Sequence, residues 1–305
     1  MASVLIFASA VIIFCIIADK LSDKLGVPCL LLFMLVGMLF GSDGLFKIPF
    51  DNFSFTENIC TVCLIFIMFY GGFGVKFSAA RPVFIRSGLL SSLGVVITAL
   101  LICAFCRIGL KWSFAESFLL GAVVSSTDAA SVFSVLKSKN LNLKYNTASL
   151  LEIESGSNNP IAYMLTAVGI MLLSGGGLTT AWLLIIKQIL FGAVFGFAVA
   201  YGAVFALKRL TLESEGMEMV FLTAVSAASY ALSGYWGGNG FLSVYICGII
   251  IGNSDIKNKK PLVNYFDGIT GLSQIVIFFL LGFLCSPHML PKVFFTAVLI
   301  FLFML

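Results

Sequence analysis

Two short stretches within this chain's apolar sequence cluster carboxylates, hydroxyls and amides side by side. The first is Leu150 to Pro160, reading Leu-Leu-Glu-Ile-Glu-Ser-Gly-Ser-Asn-Asn-Pro; the second is Ser125-Ser126-Thr127-Asp128. On a helix, Ser155 and Asn159 share a face, and so do Glu154 and Asn158, because residues four apart are surface neighbours. Pro160 has no N–H, so the carbonyl of Gly156 loses its helical partner, and Gly156 itself loosens the turn. A free carbonyl beside hydroxyls and a carboxylate is a hard-oxygen environment suited to a dehydrated alkali cation. Asp128 has apolar Phe118 to Val124 before it and Ala129 to Leu136 after it. A charge at such depth costs several kcal/mol or more unless it meets a cavity, a cation or a partner. The competing reading of Asp128 is a structural aspartate bonded to neighbouring helix ends, and that of Glu152 and Glu154 is a pair of interfacial carboxylates.

The elements that must position these groups are membrane helices. Sixty per cent of the 305 residues are hydrophobic, ten per cent are charged and the mean hydropathy is +1.09, which excludes an ordinary soluble domain. The apolar residues come in blocks of bilayer-spanning length, and no ten-residue alternation suggests a barrel. The fold class is therefore an all-α polytopic membrane protein. Eleven spans are expected: 3–17, 27–40, 59–73, 87–106, 114–135, 148–173, 182–207, 219–232, 241–256, 269–285 and 293–305. Thirteen Lys and Arg fall in the odd-numbered connections and four in the even-numbered ones. That asymmetry places the odd connections in the cytoplasm and the N-terminus outside, in a multi-pass protein of the cell membrane. The net charge of +4 carries no nucleic-acid signal, because its positive charges belong to loops.

Other features are less specific. The eight cysteines lie in or beside apolar runs; Cys60/Cys63 and Cys103/Cys106 have redox-motif spacing but read as small helix residues. Gly192-xxx-Gly196 and Gly248-xxx-Gly252 fit close helix packing. Lys187 is expected to snorkel, and His288 to lie in a short outer loop. From Lys292 onward 14 residues remain, roughly 21 Å of helix against a hydrocarbon core of about 30 Å. The chain is therefore expected to be a fragment or an early-terminated product.

Ser-Ser-Thr-Asp-Ala-Ala at 125–130 followed by Leu-Glu-Ile-Glu-Ser-Gly-Ser-Asn at 151–158 resembles the NhaP-type monovalent cation:proton antiporters, particularly their potassium/proton exchanger branch. The likeness runs the length of the chain, through Gly26-Val27-Pro28, Gly37 to Gly41, Gly71-Gly72, Ala80-Arg81-Pro82, Gly240 to Tyr245 and Phe266-Asp267-Gly268. It implies a thirteen-helix, NhaA-like inverted-repeat fold of which residues 1–305 hold about eleven helices, the last ones missing. It also implies broken fifth and twelfth helices crossing at the ion site. No Gly or Pro lies between Ala122 and Lys139, so the break at Thr127-Asp128 comes from the resemblance alone. Carried over by position, Asp128, the Thr127 carbonyl and Ser155 contact the cation, Asn158 braces the crossing, and Glu154 pairs with an arginine on a late helix. Asp128 and Ser155 would be the weak ligands of the monovalent cation, with Thr127 and Asn159 completing the cation/proton site and Glu154, Asn158, Gly156 and Pro160 supporting it.

The resemblance thus implies a secondary transporter rather than an enzyme, a homodimer that exchanges K⁺ or Na⁺ for protons and uses no cofactor. Two positions depart from the family pattern. Asn159 stands where the family has an aspartate that both binds cation and carries the proton, and an amide cannot titrate. Tyr70 stands where relatives often have an acidic residue. With the helix that would bear the arginine beyond Leu305, Glu154 is expected to lack a guanidinium partner within this chain. The alternative function is a non-transporting, degenerate or inactivated antiporter homologue. A channel or an intramembrane enzyme would need a filter-like repeat or a nucleophile–base pair, and the sequence offers neither.

Overall fold

The computed structural model describes residues 1–77, 81–127, 147–209, 214–256 and 259–305. These residues form eleven helices and no strand: α1 (Ala2–Leu25), α2 (Cys29–Phe40), α3 (Phe53–Gly74), α4 (Phe84–Gly109), α5 (Phe114–Val124), α6 (Thr147–Leu173), α7 (Leu178–Arg209), α8 (Glu215–Tyr235), α9 (Gly240–Asn253), α10 (Lys259–Leu284) and α11 (Leu290–Met304). Each falls on one of the expected apolar stretches, and most are longer than the apolar run, because polar residues at the helix ends continue the backbone ladder. Among the described residues, six helical stretches are long and apolar enough to cross a membrane by length and composition, while α2, α5 and α9 are shorter apolar helices.

Local chemistry explains several boundaries. Ser113 caps α5, its hydroxyl accepting from the Glu116 N–H while Glu116 reaches back to the Ser113 N–H, a reciprocal capping box. α1 ends on Gly26 at φ 67°, a left-handed conformation that favours glycine. α4 contains one π turn at Leu90–Gly94, which leaves Ser91 buried.

The largest departure from expectation is α5, which stops at Val124 rather than continuing to Val135. The Ser125 hydroxyl bonds back to the Ala122 carbonyl at 2.8 Å. Ser126 and Thr127 then leave the helix and bond to α6 instead. Short hydroxyl side chains that offer the backbone other partners end helices in this way. The rest of that expected span, Asp128 included, lies outside the described residues.

The chain divides into two compact units. Of the described residues, one comprises 1–67 and 268–297, the other 68–127, 147–267 and 298–305. In the first, Val11, Cys15, Leu30 and Phe33 pack on Ile275, Phe279 and Phe283. α2 and α10 touch backbone to backbone there: a Cβ on Gly37 would lie 2.2 Å from the Phe279 carbonyl oxygen, and one on Gly282 2.0 Å from that of Met34. His288 pairs with Asp43 in this unit.

The second unit is built around α9. A Cβ on Gly196 of α7 would meet the Ser243 carbonyl oxygen at 2.8 Å, and Cβ atoms on Gly248 and Gly252 would meet those of Phe69 and Phe73 in α3 at 2.4 and 2.3 Å. Both glycine pairs singled out in the sequence therefore lie at helix contacts. Where the surroundings are as apolar as the side chains, close van der Waals approach of small residues holds helices together better than burial does. Asn253 ties the ends of α9 and α3, donating to the Val75 carbonyl at 2.7 Å and accepting from the Phe77 N–H at 2.8 Å. A separate cluster, including Val95, Ala99, Phe118, Ala122, Ala162, Leu165 and Val168, joins α4, α5 and α6. The eight cysteines are free thiols, Cys103 and Cys106 among the buried ones.

Candidate functional site

α6 runs unbroken through Pro160, so the polar groups of 154–160 project from a helix that lacks one internal hydrogen bond. Glu154 and Ser155 are 8% and 4% exposed and Asn158 is fully buried. The Glu152 side chain lies outside the described groups.

The non-helical residues after α5 meet this face. Ser155 donates to the Thr127 carbonyl at 2.7 Å. The Asn158 amide nitrogen donates to the Thr127 hydroxyl at 2.6 Å and to Glu154 Oε1 at 3.1 Å. The Thr127 hydroxyl in turn donates to Glu154 Oε2 at 3.3 Å. Ser126 donates toward the amide oxygens of Asn158 and Asn159, at 3.2 and 2.5 Å. Glu154, Ser155, Asn158 and Asn159 thus all meet Ser126 or Thr127, and the face-sharing of Glu154 with Asn158 predicted from the spacing is a direct hydrogen bond. Both ends of the Asn158 amide are engaged by the segment after α5. The Glu154 carboxylate accepts from a threonine hydroxyl and an asparagine amide.

Chemically, the Thr127 carbonyl and the Ser155 hydroxyl are two oxygen donors 2.7 Å apart at the chain position where Asp128 follows. Oxygen donors of this kind suit an alkali cation rather than a transition metal, and among the described residues no three His, Cys, Asp or Glu side chains cluster as metal ligands. Asn159 contributes an amide oxygen there and no titratable group.

Several residues at this site escape simple sequence reasoning. The Asn239 amide nitrogen donates to the Pro160 carbonyl at 2.9 Å while its oxygen caps α9 through the Leu242 N–H. Ser157 donates to the Tyr245 hydroxyl at 3.1 Å. A polar residue immediately before an apolar helix is the mark of such a cap, and a tyrosine inside an apolar run signals a buried hydroxyl in need of a partner. Tyr70 donates to Asp267 at 2.9 Å.

The chain from residue 9 to 305 matches the family described as sodium/hydrogen exchanger, transmembrane. It is 37% identical over 300 residues to the K⁺/H⁺ antiporter NhaP of Alkalimonas amylolytica, covering 94% of this chain and 51% of that protein. To the K⁺/H⁺ antiporter NhaP2 of Shewanella oneidensis it is 34% identical over 278 residues, 89% of this chain and 48% of the other. The chain therefore spans about half the length of these relatives. The fold is that of the sodium proton antiporter MjNhaP1 from Methanocaldococcus jannaschii, at a TM-score of 0.78 and 22% identity over 97% of this chain and 74% of that one. With the helical architecture, the shared fold and the match across residues 9–305, the chain belongs to the sodium/hydrogen exchanger transmembrane family.

Proposed function

We propose that this protein exchanges a monovalent cation, K⁺ or Na⁺, for protons across a membrane. Its site consists of Thr127, Asp128, Ser155 and Asn159, supported by Glu154, Asn158, Gly156 and Pro160. The observation that carries this reading is the bond between the Ser155 hydroxyl and the Thr127 carbonyl, which joins the two polar stretches at the residue preceding Asp128. The names of the relatives, K⁺/H⁺ antiporters among them, favour the same chemistry.

In this account Asp128 and the adjacent oxygens hold either a cation or a proton. Because one site cannot hold both, occupation by one expels the other, and alternating exposure of the site to the two sides turns that competition into exchange. Asn159 supplies an oxygen but no second carboxylate, so exchange through Asp128 alone is slow. The Lys and Arg asymmetry supports a cell-membrane protein with its N-terminus outside, and family resemblance supports a homodimer. No ligand besides the exchanged ions is required by this mechanism.

The test is proton flux in liposomes containing the protein and a pH-sensitive dye, with pulses of KCl, NaCl or LiCl. A cation-dependent proton release that disappears in Asp128→Asn is the expected result. Release undiminished in Asp128→Asn, or no release from the wild type, contradicts the proposal.

A further inference from the structure

α9 contacts the proline-loosened turn of α6 at both ends, and the two contacts are of different kinds. At the far end Asn239 donates to the Pro160 carbonyl. At the near end Tyr245, 4% exposed, packs against Gly156. A Cβ on Gly156 would come within 2.9 Å of the phenol oxygen and 3.1 Å of the ring carbon Cε2. The same phenol accepts the Ser157 hydroxyl at 3.1 Å. Tyr245 is itself held from behind, its backbone carbonyl only 2.3 Å from where a Cβ on Gly72 of α3 would be. The tyrosine is thus anchored by one helix and presses on another.

The turn it presses on is the one the helix ladder fails to fix. With no N–H on Pro160 the Gly156 carbonyl has no helical donor, and Gly156 has the widest torsional freedom of any residue. The torsions at 156 and 157 set where that carbonyl points and how Ser155 stands relative to Thr127. An oxygen ligand is useful to a cation only if it is already aimed, since aiming it on binding subtracts from affinity.

Resting on the exchange reading above, we infer that Tyr245 is a positioning residue of the cation site, holding the Gly156–Ser157 turn in the conformation that binds the ion. It contacts Gly156 and Ser157 and acts on the cation through them. Losing its hydroxyl weakens cation binding and leaves the fold standing, because the ring still fills the space over Gly156.

The experiment compares wild type, Tyr245→Phe, Ser157→Ala and the double variant. Binding is read as the upward shift of the unfolding temperature in detergent on adding KCl or NaCl, against choline chloride at equal ionic strength. Flux in liposomes gives the apparent KM and the maximal rate. Tyr245→Phe is expected to unfold at the wild-type temperature in choline chloride and to weaken the apparent cation affinity about two- to tenfold, the range one ordinary hydrogen bond covers in an equilibrium constant. Its maximal rate stays within about twofold. Ser157→Ala shifts the affinity in the same direction, and the double variant by less than the two single shifts combined, since the Ser157–Tyr245 bond is common to both.

Unchanged affinity in Tyr245→Phe, additive shifts in the double variant, or a lowered unfolding temperature in choline chloride with no change in affinity each overturn the inference. A wild type that binds cation without exchanging protons refutes the proposed exchange, and Tyr245 is then judged from binding alone. A wild type with no cation-dependent stabilisation refutes both.

Discussion

Asn158 and Thr127 are 31 positions apart, yet the Asn158 amide donates to the Thr127 hydroxyl at 2.6 Å from a fully buried position. This one bond joins the segment after α5 to the middle of α6 and, through the same amide nitrogen, to Glu154. A buried asparagine with both ends engaged specifies one register between two elements, since any other leaves its polar atoms without partners.

Replacing Asn158 with Ala removes the donor to Thr127 and Glu154 together. A buried carboxylate and hydroxyl deprived of a partner should lower stability by about 1–3 kcal/mol or more. The expected outcome is a lower unfolding temperature in detergent. An Asn158→Ala protein as stable as wild type would show that Glu154 and Thr127 satisfy each other without it.

The adjacent glycines of α3 should behave differently. A Cβ at Gly72 would lie 2.3 Å from the Tyr245 carbonyl oxygen, whereas one at Gly71 meets nothing within 4 Å. Gly72→Ala must push α3 from α9 and should cost about 1–3 kcal/mol, the usual range for overpacking, while Gly71→Ala should be close to neutral. Folded yield and unfolding temperature after purification measure both; equal behaviour of the pair would contradict the packing described.

Orientation is open to a direct check. In a cysteine-free version of the protein, Lys24→Cys should react with an impermeant maleimide only after the cells are permeabilised, and Lys47→Cys should react from outside. The reverse pattern would overturn the placement based on Lys and Arg counts.

Much of the fold was legible in the sequence, because apolar blocks of spanning length can be little else than helices. The two polar stretches of the candidate site stood out for the same reason: Glu154, Ser155 and Asn158 interrupt a background in which polar atoms are expensive. The end of α5 at Val124 was not legible from pattern, since Ser125, Ser126 and Thr127 carry no Gly or Pro and turn away from the helix only because α6 offers partners 27 or more positions later. The burial of Glu154 was not legible either, because it depends on which helices flank α6. The partners of Tyr245 and Asn239 emerge only in three dimensions, both residues contacting α6 from the N-terminal half of α9.

The central claim, that cation and proton compete at the Asp128 site and that Asn159 limits this competition, is tested most directly by Asn159→Asp. Two carboxylates sharing one desolvated site hold a proton between them near neutral pH far more readily than one carboxylate does. The measurement is cation-driven proton release in liposomes as a function of pH, for the Asn159 protein and its Asn159→Asp variant side by side. The account predicts release at least about tenfold faster in the variant, the effect of only about 1.4 kcal/mol at a rate-limiting step, and loss of release from both on Asp128→Asn. Equal exchange by the two proteins across the pH range, or a variant that exchanges no faster, would contradict it.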